Sequence, residues 1–260
     1  MSDERAGRAP SLRVESVGDA VVLTLDRPAT HNAIDHGTAR AMAEAIGLAS
    51  RDPHVRGIVV TGAGDRTFMA GGDLNMIAGL VKSEQSGDAV VDLGRELAAC
   101  ERAPVPVVAA VQGDVFGGGC EFLLLCDLVI MESHAGLAFR HAKMGLSPAW
   151  GGLTRLVERV GPLEAARLLF TAEKIDAAEA LRVGLVNEVV PKGASRGRAL
   201  SLVARIADNP RTTVAALKRA LFDVREARRG AAVEREQEVF SERWGGADHR
   251  DAMDAYLSRK

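Results

Sequence analysis

Three consecutive glycines stand between two apolar runs near the middle of the chain. Residues 107–111 have the pattern of a buried strand, and the apolar residues 122–126 follow the segment 117–121. Glycine has no Cβ, so a turn of this kind can adopt positive φ and approach a ligand closely. The N–H groups of a helix that starts here would favour an anion. A tight packing contact, with Glu121 placed near a helix start, explains the same residues equally well.

The composition is that of a globular protein. Of the 260 residues, 47% are hydrophobic and 26% are charged, which predicts one large core with a small appendage. A formal net charge of −2 gives no overall positive potential that would attract nucleic acid or anionic lipid, so neither is expected as a partner. The cysteines, Cys100, Cys120 and Cys126, lack metal-type spacing and indicate buried, reduced thiols in a cytoplasmic protein. Neither a signal peptide nor a membrane span is expected.

Strand-like runs alternate with segments of helical spacing over the first two thirds of the chain. The strand-like runs are residues 21–25, 57–61, 105–111, 128–131 and 185–190, and helical spacing marks segments such as 38–49 and 74–100. This alternation predicts an α/β fold with ββα or βαβ units. After Pro191 only helical spacing remains, with few large apolar residues on charged helices. We therefore predict a core over residues 1–194 and a helical region over 195–260 that serves as a lid or oligomer contact.

Several common catalytic motifs are missing from the sequence. The segment 62–67 follows a strand but carries Thr67 where a dinucleotide fingerprint needs its third glycine. Neither a P-loop nor a G-x-S-x-G elbow occurs, and the histidines lack the spacing of metal ligands. Backbone donors, carboxylates and one or two histidines remain as the candidate chemistry.

A second glycine turn, residues 70–73, also lies between a strand region and a helical pattern. Two such turns can direct two N–H groups at one oxygen and form an oxyanion hole for an acyl carbonyl. Each donor contributes on the order of 3 to 4 kcal/mol to the stabilisation of an oxyanion in well-studied cases. Asp73, which opens the helical pattern, is interpreted first as a helix N-cap.

These turns belong to a longer pattern that resembles the enoyl-CoA hydratase/isomerase family, the crotonase superfamily. The matching segments are residues 25–28 with 31–34, then 70–73, 108–128 and 175–186. The resemblance implies a crotonase-type spiral of ββα units whose C-terminal helices form a homotrimer or a dimer of trimers. It also implies a coenzyme A thioester as substrate, no metal or redox cofactor, and the N–H groups of Gly72 and Gly118 as oxyanion donors.

The same resemblance assigns candidate substrate-binding residues. Arg27 and Ala33 would lie along the adenine and phosphates of CoA, and Arg27 is either a phosphate partner or an ordinary surface charge. Ala70 and Asp73 belong to the loop that carries the first oxyanion donor. Asp114 either reaches the acyl pocket or is a plain loop aspartate.

The sequence departs from the hydratase pattern at one position. Hydratases of this family use two glutamates, of which the first corresponds to Glu121 while the second position holds His141. Histidine can still transfer protons near neutral pH. The segment 139–152 is similar to the ethylmalonyl-CoA decarboxylase branch, in which Trp150 would be a wall of the acyl pocket or a packed core residue.

The sequence therefore leaves three functions open. The leading interpretation is an acyl-CoA lyase, nominally an enoyl-CoA hydratase, that uses Glu121 and His141 as its acid–base pair. The alternative is a decarboxylase of ethylmalonyl-CoA or methylmalonyl-CoA, because an oxyanion hole and a proton donor are sufficient for that reaction. The third is an acyl-CoA-binding trimer without turnover.

Overall fold

The protein is built on two β-sheets. Its structure is a computed structural model that describes residues 11–258. The strands are β1 (Leu12–Val17), β2 (Ala20–Leu25), β3 (Gly57–Gly62), β4 (Thr67–Met69), β5 (Val107–Val111), β6 (Asp114–Phe116), β7 (Leu128–Glu132), β8 (Gly136–Ala138), β9 (Ile175–Asp176) and β10 (Glu188–Val190). The helices are α1 (His36–Arg51), α2 (Leu74–Lys82), α3 (Asp88–Leu97), α4 (Ala99–Arg102), α5 (Gly118–Leu125), α6 (Gly152–Thr171), α7 (Ala177–Arg182), α8 (Ser195–Ala207), α9 (Arg211–Arg243) and α10 (Ala247–Leu257). Short 3-10 helices cover Pro28–Thr30 and Ala142–Met144.

The larger sheet is six-stranded, in the order β1-β2-β3-β5-β7-β10. All of its neighbours are parallel except the β1–β2 hairpin. Every residue of β3 and of β5 is buried, which explains their near-continuous apolar sequences, since a parallel sheet is covered on both faces.

The smaller sheet is four-stranded, in the order β4-β6-β8-β9. The chain repeatedly passes from a strand of the larger sheet to a strand of the smaller sheet and then into a helix, as in β3–β4–α2 and β5–β6–α5. This repetition is the ββα spiral that the sequence predicts, and the α/β fold class is confirmed. The helical pattern over 74–100 is divided among three helices: a polar segment that includes Gly87 separates α2 from α3, and Ala98 separates α3 from α4.

The helices after residue 194 share the core of the strands. Ala199 and Val203 of α8 pack with Val22, Val59 and Val108 on one face of the larger sheet. Phe240 of α9 and Met253 of α10 join the main apolar cluster. The division at 194/195 is therefore a change of sequence pattern within one packed body, while the lid and oligomer roles of the C-terminal helices stay predictions.

Within residues 11–258, no helix combines the length and apolar character that a membrane crossing requires.

The start of α5 is pressed against β4, and this contact brings the two glycine turns together. A Cβ built on Gly119 would collide with the carbonyl oxygen of Met69 and lie 3.1 Å from Cγ1 of Val115. Only glycine permits this approach of backbone to backbone.

We expect Gly119→Ala to lower the free energy of unfolding by about 2 kcal/mol, the usual cost of overpacking a rigid core. Chemical denaturation measures the change. The control is Gly79→Ala on α2, where an added Cβ has no atom within 4 Å, so helix propensity should leave stability unchanged or raised by roughly 0.5 to 1 kcal/mol. Equal effects of the two substitutions would contradict the close packing of α5 on β4.

Candidate active site

Both glycine turns lie on the wall of one cavity. The cavity has a volume of about 690 Å³ and opens between the smaller sheet and α10. Gly72 and Gly118 line it, together with Glu121, His141 and Trp150. The structure thus brings together the predicted oxyanion donors, the predicted acid–base pair and the predicted wall of the acyl pocket.

In the first turn, Gly72 pairs with Ile34 through an isolated parallel β-bridge. Ile34 N donates to Gly71 O at 2.8 Å, and Asp73 N donates to Ile34 O at 2.8 Å. A residue flanked in this way in a parallel ladder turns its own N–H to the opposite side. The N–H of Gly72 therefore points away from Ile34.

The second turn places Gly118 at the start of α5. Gly117 has a φ of 52° and donates its N–H to Ala138 O at 3.0 Å. The N–H of Gly118 is in the first helical turn, where the helix offers no acceptor. A Cβ built on Gly71 would lie 2.7 Å from Gly118 N, so the two turns are in direct contact. Two backbone donors that meet at one cavity wall form an arrangement suited to a developing oxyanion.

Glu121 is buried, with 2% of its surface exposed, and both of its carboxylate oxygens accept hydrogen bonds. His141 Nε2 lies 2.9 Å from Oε1, while Trp150 N and Gly152 N donate to Oε2 at 2.7 Å and 3.0 Å. Gly152 has no room for a side chain, because a Cβ there would lie 2.5 Å from Glu121 Oε2. These donors hold the carboxylate in one orientation at the N-terminus of α6, where a negative charge is favoured.

His141 follows β8 and precedes the 3-10 helix Ala142–Met144. When Glu121 is a carboxylate, it accepts from Nε2–H and selects the tautomer whose hydrogen is on Nε2. Nδ1 is buried and has no hydrogen-bond partner among residues 11–258. His141 as a residue lines the cavity, while Nδ1 itself is covered by neighbouring atoms.

Trp150 lines the cavity and also packs in the core, while its role as a wall of an acyl pocket stays a prediction. Its Nε1 donates to Val90 O at 2.8 Å, and 5% of the residue is exposed. A Cβ on Gly118 would lie 2.6 Å from Cζ3 of the indole. The ring therefore packs directly against Gly118, the second predicted oxyanion donor.

Arg27 points into the protein. Its guanidinium donates to Asp73 Oδ2 at 2.8 Å and to Ala33 O, and it lies 3.1 Å from Asp35 Oδ2. The residue is 9% exposed and does not line the cavity. The contact of Arg27 and Ala33 with CoA stays a prediction, but a phosphate at this guanidinium would have to compete with buried carboxylates.

Asp73 is the N-cap of α2, as predicted, since its carboxylate accepts from Asn75 N at 2.9 Å. Ala70 lines the cavity next to the first oxyanion donor. Asp114 also lines it, yet its carboxylate is held by Gly136 N at 2.9 Å and Lys174 Nζ at 2.7 Å. The binding roles of these residues stay predictions.

Other residues of the cavity carry no sequence signal. Arg66, Arg140 and Lys143 bring positive charge to its lining, and Tyr256 closes it from α10. The Arg140 guanidinium lies 5.0 Å from the centre of the Phe116 ring. A basic side chain in a loop gives no indication from sequence alone of which cavity it faces.

The three thiols are buried, and burial raises the pKa of Cys100 to about 12. Burial likewise raises the pKa of Cys120 and Cys126 far above the ordinary thiol range. The interpretation of these cysteines as small buried side chains is confirmed. No cluster of three or more His, Cys, Asp or Glu side chains suited to a metal occurs in the described chain.

We expect Arg27→Met to lower the free energy of unfolding by about 3 kcal/mol, because it leaves the buried Asp73 carboxylate without its charged partner. Urea denaturation measures this loss. Arg40→Met is the matched control, since the Arg40–Glu44 pair is 77% and 66% exposed and should contribute less than about 1 kcal/mol. A stability loss no greater than that of the control would show that Arg27 is not a structural cross-link.

Comparison with known proteins identifies the family. The sequence matches the family model described as enoyl-CoA hydratase/isomerase over residues 16–260. It is 33% identical over 249 residues to the short-chain-enoyl-CoA hydratase of Clostridium acetobutylicum, covering 95% of this chain and 94% of that protein. It is 32% identical over 235 residues to the ethylmalonyl-CoA decarboxylase of Homo sapiens, covering 89% and 76%.

Comparison with solved structures identifies the same family. The structure of a carnitinyl-CoA dehydratase from Mycobacterium avium 104 superimposes with a TM-score of 0.86 at 32% sequence identity, covering 95% of this chain and 97% of that one. The extent of these matches includes both glycine turns and the C-terminal helices. The chain belongs to the enoyl-CoA hydratase/isomerase family.

Proposed function

We propose that the protein is an acyl-CoA lyase that acts through a thioester enolate, and that its reaction is the hydration of an enoyl-CoA. The observation that supports this most is the hydrogen bond between Glu121 and His141 on the same cavity wall as the N–H groups of Gly72 and Gly118. Backbone donors and a proton-transfer pair are the two components that enolate chemistry requires.

In hydration, the thioester carbonyl oxygen accepts hydrogen bonds from the N–H groups of Gly72 and Gly118. After a small rotation of the ring opens Nδ1 of His141 to the cavity, Nδ1 takes a proton from water as the water oxygen bonds to C3. The C2–C3 π electrons move into the enolate. The enolate carbon C2 then takes the proton back from the imidazolium. One molecule of water is added, and the histidine returns to its starting state.

Glu121 acts through His141 in this scheme. Both carboxylate oxygens accept from N–H groups of the protein, so the carboxylate fixes the imidazole tautomer and stabilises the imidazolium that forms. Glu121 is thus a positioning residue and His141 the group that touches the reactants.

A second candidate, decarboxylation of ethylmalonyl-CoA or methylmalonyl-CoA, is favoured by the histidine at position 141. The C2–carboxylate bond breaks, its electrons form the enolate held by Gly72 and Gly118, and CO₂ leaves. A protonated His141 then delivers its proton to C2. The identity of 32% to a named ethylmalonyl-CoA decarboxylase supports this candidate.

A third candidate, an acyl-CoA-binding trimer without turnover, has less support. A buried carboxylate costs free energy unless it is hydrogen-bonded, and a binding protein gains nothing from the Glu121–His141 pair. That pair, and the buried Nδ1 atom beside the cavity, fit an enzyme.

The surroundings of the cavity suggest how CoA and other subunits are bound. We infer that Arg66 and Lys143, which line the cavity and are exposed, meet the CoA phosphates. Leu163 and Phe170 of α6 are 86% and 81% exposed. These apolar side chains support self-association as a homotrimer or dimer of trimers. Reduced, buried thiols are consistent with a cytoplasmic location.

The reaction is tested by incubating the protein separately with crotonyl-CoA and with ethylmalonyl-CoA and following the products by mass spectrometry. We expect crotonyl-CoA to gain the mass of one water. Loss of CO₂ from ethylmalonyl-CoA without hydration of crotonyl-CoA would replace the leading proposal by the second one. Binding of both without turnover would leave the non-catalytic trimer.

We expect His141→Ala to lower kcat by about 100-fold or more, the usual contribution of a general acid–base group. Glu121→Gln should also lower kcat, because the amide no longer fixes the imidazole tautomer. The control is His54→Ala, which alters an exposed histidine outside the cavity and should leave kcat unchanged. Full activity of both site variants would contradict the assignment of the pair.

A further inference from the structure

Two carboxylates converge on the N-terminus of α6. Glu121, from α5, accepts the N–H groups of Trp150 and Gly152. Glu236, from α9, accepts Leu153 N at 3.1 Å through Oε1, and it accepts Thr154 N and Thr154 Oγ1 at 2.9 Å through Oε2. The donors of this segment are thus divided between the carboxylate that holds His141 and a carboxylate from the C-terminal region.

Glu236 is as deeply buried as Glu121, with 3% of its surface exposed. A buried carboxylate accepting three hydrogen bonds from consecutive residues fixes the position of that segment firmly. Because Gly152 directly precedes Leu153, a shift of the segment would move the N–H groups that hold Glu121. The geometry of the acid–base pair therefore depends on a residue of α9 that does not contact it through a hydrogen bond.

We propose that Glu236 is a positioning residue for the Glu121–His141 pair: it fixes the N-terminus of α6 so that Trp150 N and Gly152 N hold the Glu121 carboxylate. This inference rests on the proposed function, in which that pair transfers the proton.

The charges around Glu236 add a pH dependence to this role. Burial, and then the negative charge of Glu121, raise the pKa of Glu236 from its ordinary value to about 7. Charged groups on the packed elements are paired elsewhere: Arg155 of α6, and Arg225 and Arg229 of α9, contact Glu101 of α4, and Arg229 also contacts Glu158 of α6. Below about pH 7 Glu236 gains a proton, one oxygen becomes a donor, and it no longer accepts from both Leu153 and Thr154.

The substitution Glu236→Gln imitates the protonated state at every pH, since the amide has one acceptor oxygen and one donor group. We therefore expect the ratio of wild-type kcat to variant kcat to be close to one at low pH and to rise to about tenfold above pH 8, with KM within about twofold. The matched control is Glu234→Gln, an exposed glutamate on the same helix, for which the ratio should stay near one throughout.

The measurement is the pH profile of kcat and KM for the acyl-CoA that is turned over. Glu236→Asp keeps the charge but shortens the side chain by one methylene, so it should lower kcat without the same dependence on pH. It also keeps the test decisive should Glu236→Gln fail to fold. A ratio that does not vary with pH for Glu236→Gln, or an undiminished kcat for Glu236→Asp, would overturn the proposal.

Hydrogen–deuterium exchange of residues 149–154 provides a readout that needs no substrate. Above pH 8, where Glu236 is ionised, we expect faster exchange in Glu236→Gln than in wild type or Glu234→Gln, because the segment loses one of its fixed acceptors. Unchanged exchange would overturn the positioning role even if the enzyme is active. Faster exchange in a protein that turns over neither acyl-CoA would instead remove the proposed function and leave the structural link in place.

Discussion

The arrangement of the site depends on the contact between two glycine turns that lie far apart in the sequence. Gly71 and Gly118 approach so closely that a Cβ on the first would lie 2.7 Å from the nitrogen of the second. This contact is possible because β4 and β6 are parallel neighbours in the smaller sheet, so their carboxyl ends lie at the same edge. Everything else at the cavity is placed relative to these two backbones. Trp150 packs beneath Gly118, and Glu121 lies in the first turn of the same helix.

The second organising element is the N-terminus of α6, which links the Glu121–His141 pair to the C-terminal helices. Glu121 accepts hydrogen bonds from two N–H groups of this segment, those of Trp150 and Gly152. Glu236 accepts hydrogen bonds from the next two, those of Leu153 and Thr154. Close by, Arg155 donates to Glu101 and to the carbonyl oxygen of Gly151, and Arg229 of α9 donates to Glu101. Buried charges of this kind are stable only when paired. The long charged helix α9 is therefore joined to the candidate active site by ion pairs and hydrogen bonds as well as by apolar contacts.

Strand patterns and glycine turns are local signals, so the sequence predicted the α/β fold class and the two glycine turns that meet at the candidate site. It also identified Glu121 and His141, through their positions relative to a family pattern. It could not predict that Arg27 turns inward, since a basic residue before a proline looks the same whether it meets a carboxylate or a phosphate. Glu236 gave no signal, because it is one glutamate among many on a charged helix. Its importance comes from a contact that spans 82 residues of sequence.

The central claim is that the N–H groups of Gly72 and Gly118 together polarise a thioester carbonyl. The most direct test is the vibrational frequency of the thioester C=O of butyryl-CoA, a saturated ligand, measured by Raman difference spectroscopy in complex with the protein. Two hydrogen bonds in a water-excluded cavity weaken the C=O bond more than bulk water does. We predict a C=O stretch at lower frequency in the complex than in aqueous solution. A frequency equal to the aqueous value, or above it, would contradict the account.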